Sequence, residues 1–142
     1  MAFDALLELR ANAALALAAS GTVSDAAKEL AGGGISNAKL AVIVQAADAD
    51  ADLACDFEVS LDNAAHYRTI CRVVIPQGFV GIKTVDVGTY LRTFRYAAAS
   101  VQCRTTWTNL SGANGNTATV GAFIGDGSED IFGKTAADAL LV

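Results

Sequence analysis

The chain has 142 residues, long enough to bury a real core and too short for two ordinary domains, so residues 1–142 read as one domain. Apolar residues make up 53% of it, but roughly a fifth of the chain is Ala, and the core volume has to come from Val, Leu, Ile, Phe, Tyr and the single Trp107. A formal charge of -5 supplies no basic stripe for phosphates or an anionic bilayer, and no apolar run reaches the roughly 18 residues of a spanning helix, so neither nucleic acid nor membrane is an expected partner.

The opening Met1-Ala2-Phe3-Asp4 lacks the basic start of a signal peptide, which predicts a chain made in the cytoplasm and used or assembled there. Residues 4–19 and 24–30 are rich in Ala, Leu and Glu, strong helix formers. Against a helix, Leu7 with Leu9 and Leu15 with Leu17 alternate as in a strand. Helical and extended readings of this N-terminal region, residues 1–38, both stay open.

From Lys39 onward the apolar pattern has period two, in short segments separated by Gly, Asn, Asp and Ala breaks. Strands are predicted over Lys39–Ala46, Leu53–Leu61, Tyr67–Ile75, Phe79–Val87, Tyr90–Tyr96, Val101–Asn109 and Thr117–Ile124. Turn chemistry joins them: Asp62-Asn63, Pro76-Gln77-Gly78, and the Asn114-Gly115 pair favoured where φ is positive. The expectation is an all-β, antiparallel jelly roll or β-sandwich, with core strands over 39–125 and short helical or extended terminal arms, the second being an Ala-rich tail over 126–142.

Little in the sequence selects chemistry. Cys55, Cys71 and Cys103 are an odd number at wide spacing and alternate with apolar neighbours, which predicts buried free thiols in strands over a disulfide framework or zinc site. Asp48, Asp50 and Asp52 imitate the first ligands of a calcium loop, but Leu53 and Val59 stand where the required Gly and Glu would be, so a solvated loop is expected. Gly125 to Asp130 reads as an acidic surface loop. His66 is the single histidine, and Ser60 and Asp62 near it lack the strand-turn-helix setting of a nucleophile elbow. The expectation is therefore a protein that is no enzyme and takes no metal or cofactor. In Tyr90-Leu91-Arg92-Thr93-Phe94-Arg95-Tyr96, arginines interleave with aromatics, a pattern enriched at protein interfaces.

The chain resembles the jelly-roll capsid cement proteins of tailed phages, the group typified by a Bordetella phage. The likeness rests on Asp4-Ala5-Leu6-Leu7-Glu8-Leu9, on Leu40-Ala41-Val42-Ile43-Val44, on Phe57-Glu58-Val59-Ser60-Leu61-Asp62-Asn63 and on the 90–96 segment. What the resemblance implies is a virion protein on the capsid exterior, assembled in the host cytoplasm as a homotrimer that bridges major capsid proteins. Phe3, Leu7, Leu9, Arg10, Arg92, Arg95 and Tyr96 are then the expected partner-interface residues. The competing expectations are a carbohydrate-binding jelly roll, with Trp107 or Tyr67 exposed as a sugar platform, and another virion part such as a head-fibre base.

Overall fold

The computed structural model describes residues 5–30, 38–88, 90–91 and 101–126. They form nine strands: β1 Ala5–Leu17, β2 Thr22–Ser24, β3 Lys28–Leu30, β4 Ala38–Ala46, β5 Leu53–Ser60, β6 Arg68–Ile75, β7 Gly81–Asp86, β8 Val101–Asn109 and β9 Asn116–Asp126. One sheet has the order β1-β9-β4-β7, the other β2-β8-β5-β6 with β3 also on β8. All pairings are antiparallel.

The pairings are nested. The β5–β6 hairpin is innermost, β4–β7 encloses it, β2 and β3 with β8 enclose that, and β1–β9 is outermost. The ribbon is rolled so that β4 meets β9 and β5 meets β8. This is a jelly roll, the expected architecture. β2 and β3 behave as one strand broken at Asp25–Ala27, since both pair with β8.

Period-two alternation fills the space between the sheets. Leu40, Val42 and Val44 of β4 and Val120, Ala122 and Ile124 of β9 point inward from one sheet, and Leu53, Cys55, Phe57, Val59, Val101, Cys103 and Trp107 from the other. Trp107 is fully buried, which removes it as a sugar platform. Cys55 and Cys103 are buried as expected, whereas Cys71, on the edge strand β6, is only partly so.

Two expectations are corrected or completed. The Ala-rich opening is neither helix nor free arm: β1 is an extended edge strand, because pairing with β9 and burial of Leu9 and Leu15 outweigh helix propensity. The small side chains of this region suit a close approach of β1 and β9. A Cβ on Gly121 would lie 3.0 Å from the Asn12 Cα. The predicted strand over 90–96 does not begin as one, for Gly88, Tyr90 and Leu91 take a helical turn in which the Leu91 N–H donates to the Val87 carbonyl at 3.0 Å. Val87 and Leu91 are buried there and join the core; residues 92–96 lie outside the described residues.

Candidate functional site

The sandwich has a sheet edge from each layer on either side, and the two sides differ. On one side β1 packs against β3 and β8, and a polar clasp crosses the gap between sheets. Arg10 on β1 donates from Nη1 to Asp25 Oδ1 at 2.8 Å, from Nε to the Val120 carbonyl at 3.2 Å and from Nη2 to the Ala14 carbonyl at 3.0 Å. Asp25 Oδ2 accepts from Trp107 Nε1 and from Thr105 Oγ1, each at 2.7 Å. The Arg10 guanidinium also lies over the Trp107 ring, 5.9 Å from its centroid. Asp25 thereby satisfies the two buried donors that the core presents at this edge. On the other side, β6 and β7 are the last strands of their sheets among the described residues.

At one end of the sandwich the Asp48–Asp52 loop is more ordered than a merely solvated loop. Asp48 Oδ1 accepts from the Asp50 N–H at 2.8 Å, and Oδ2 accepts from the Thr117 N–H at 2.9 Å and the Thr117 hydroxyl at 3.2 Å. These backbone donors hold the Asp48 carboxyl below its ordinary range. Asp52 Oδ1 caps the Gln77 N–H at 3.0 Å, and Asn116 Nδ2 donates to the Ala51 and Asp52 carbonyls. The carboxylates fasten neighbouring loops together, and among the described residues no group of three metal-ligating side chains assembles.

The β5–β6 hairpin carries the densest side-chain chemistry on the surface. Ser60 Oγ donates to Asp62 Oδ1 at 2.7 Å, and His66 Nδ1 lies 2.6 Å from Asp62 Oδ2. In a hydrolytic triad the imidazole stands between hydroxyl and carboxylate; here the carboxylate stands between hydroxyl and imidazole, so the imidazole is not placed to take the Ser60 proton. The arrangement builds a turn. Ser60 Oγ accepts from the Ala64 N–H at 3.0 Å and Asp62 Oδ1 from the His66 N–H at 2.9 Å, while Asn63 and Ala64 take positive φ. Hydrogen bonds from Ser60, and then from His66, hold Asp62 far below the usual carboxylate range. Behind the turn, Arg104 lies 3.7 Å from the Tyr67 ring centroid and donates from Nε to Glu58 Oε1 at 2.8 Å. Val59, Leu61, Asp62, His66, Tyr67 and Arg68 line a depression of about 320 Å³ at this hairpin.

The thiols are not activated. Burial pushes Cys103 up to about 12 and Cys71 up to about 11, and raises Cys55 well above its ordinary value.

Of the expected interface residues, Leu9 is a core side chain and Arg10 is engaged in the clasp, so both are corrected from partner contacts to internal ones: period-two alternation and the Asp25 carboxylate turn them inward. Leu7 enters β1 with its backbone opposite Ile124. Phe3, Arg92, Arg95 and Tyr96 lie outside the described residues, as does most of the Gly125 to Asp130 loop. Asp25 went unnoticed in the sequence because its partners are 15, 80 and 82 residues away. The grouping of Tyr67 with Arg104 is likewise a product of β5, β6 and β8 lying side by side, with no local motif to announce it.

No family model matches the chain, and no curated protein matches it. Among solved structures it is similar to a Yersinia pseudotuberculosis-derived mitogen, at 14% sequence identity and a TM-score of 0.48, covering 87% of this chain and 92% of that one. A likeness this distant carries no argument about function.

Proposed function

We propose that the chain is a structural virion protein that sits on the outside of a phage capsid as a homotrimeric cement, strengthening contacts between major capsid proteins. The observation that supports this reading is where the polar chemistry goes. Asp25, Asp48, Asp52, Ser60 and Asp62 all hold the fold, and the thiols are withheld by burial, which leaves a rigid sandwich suited to contact. Among the described residues no strand pairs with the outer edges of β6 and β7, which leaves those edges for such contact. The segments through which the chain resembles cement proteins agree with it, and the jelly roll is the fold the resemblance implies.

A cement works by binding the assembled shell in preference to its parts, and symmetric repetition makes many weak contacts sufficient. Two measurements test it. Light scattering on the purified chain is expected to give about three times the 14.5 kDa protomer mass. Empty shells of the major capsid protein encoded in the same genome are expected to carry the chain into the pellet on sedimentation and to resist heating better with it than without. Shells that leave it in the supernatant, or a genome with no capsid gene, overturn the reading.

A further inference from the structure

We propose that the depression at the β5–β6 hairpin binds a sugar ring that carries a carboxylate. Its walls bring together the three things such a ligand needs: an aromatic surface, a free cation and directional polar groups on a turn that is already ordered.

The cation is Arg68. Arg10, Arg72 and Arg104 are each paired with a carboxylate, Asp25, Asp56 and Glu58 respectively. Among the described residues Arg68 is the arginine without one, and it is exposed on the wall of the depression. A planar guanidinium with its fork unfilled is suited to a carboxylate, which it can grip through two parallel hydrogen bonds.

The aromatic surface is Tyr67. Arg104 covers one face of its ring, and Glu58 holds Arg104 in turn, so the ring is fixed before any ligand arrives. Tyr67 also lines the depression, and the proposed ligand is set against the part of the ring that Arg104 leaves uncovered. The C–H face of a pyranose packs on such a surface, whereas a bare phosphate or acetate gains nothing from it.

The polar groups are His66 and Asp62. Asp62 engages Nδ1, which leaves Nε2 as the ring nitrogen open to solvent on a side chain that is 88% exposed. Leu61, an exposed apolar side chain, completes the rim. The hydrogen bonds among Ser60, Asp62, Ala64 and His66 order the turn in advance, so little conformational freedom is lost on binding. A volume of about 320 Å³ suits one ring and not a long oligosaccharide.

The test is a titration of the full-length, nitrogen-15-labelled chain with sodium glucuronate, glucose and sodium acetate at constant ionic strength, followed by amide chemical shifts. Glucuronate is expected to saturate on the order of millimolar, with shifts confined to residues 59–68 and Arg104. Glucose is expected to bind about tenfold more weakly, and acetate to shift only the surroundings of Arg68. R68Q should abolish the preference for glucuronate over glucose. Y67L should weaken both sugars by about tenfold while the remaining amide positions stay as in the parent, which shows that it still folds. Absence of saturable shifts with glucuronate, an acetate response equal to it, or binding unchanged in both variants overturns the proposal. The cement reading is tested separately, since a chain that pellets with shells and ignores glucuronate overturns this proposal alone.

Discussion

Replacing Asp25 by Ala removes the acceptor on which the β1 side of the sandwich closes. Trp107 Nε1 and Thr105 Oγ1, both on fully buried residues, lose their 2.7 Å partner. Arg10 loses its counter-ion at a site where the two side chains are 15% and 13% exposed. Each orphaned buried donor costs about 1–3 kcal/mol, and breaking a largely buried ion pair from one side costs about 3–5 kcal/mol. These terms share atoms and do not add, so the expected loss is about 3–5 kcal/mol, a large part of the 5–15 kcal/mol typical of a domain. Urea unfolding followed by Trp107 fluorescence reads it directly: with a slope of about 2 kcal/mol per molar, the midpoint should fall by roughly 2 M. R10M/D25L should lose less than the sum of the single variants, because no unpaired charge is left behind. A D25A midpoint within about 0.3 M of the parent, which is under about 1 kcal/mol, would refute the clasp as a stabilising element.

Alkylation with iodoacetamide at pH 8 should label Cys71 slowly and leave Cys55 and Cys103 untouched until denaturant is added, as peptide mapping would show, because burial and raised thiol pKa values withhold the thiolate. The same shifts set a pH dependence. Above about pH 9 the unfolded chain releases thiol protons that the folded chain keeps, so stability should fall as pH rises from about 9 toward 12, and replacing Cys103 by Ser should flatten the upper part of that fall in urea midpoints. G121A sets a methyl 3.0 Å from the Asn12 Cα and 3.2 Å from the Arg10 carbonyl oxygen, so β1 must shift, and a loss of about 1–3 kcal/mol with faster amide exchange in β1 is expected.

Much of the fold was legible because its strands are half-buried. Val101–Asn109 is observed as predicted, and Leu53–Leu61 and Tyr67–Ile75 differ from β5 and β6 by one residue, since side chains alternate between core and surface and period two shows plainly. Phe79–Val87 shrinks to Gly81–Asp86, where a positive φ of 147° at Gly81 marks the start of regular pairing. β1 was ambiguous because Ala fits a helix better than a strand when taken alone, and the decision is made by β9, about a hundred residues downstream. Candidate site chemistry was less legible still. Ser60, Asp62 and His66 stand close in sequence, but which of them bridges the other two is a matter of turn geometry, and that geometry separates a structural cap from a catalytic triad. Arg68 reads as one more surface arginine until its neighbours are seen to be paired off.

The nesting of the strand pairs also imposes an order in time. Among the described strands, β5 and β6 are the one pair that follow each other directly, whereas β1 pairs with β9, which ends at Asp126. On a ribosome adding about 5–20 residues per second, the first strand waits roughly 5–20 s for the last, with Leu9 and Leu15 uncovered meanwhile. Glu8, Arg10 and Asn12 interrupt the leucines of that waiting strand, which limits the continuous apolar run it offers to other nascent chains until the final stretch emerges and closes the roll.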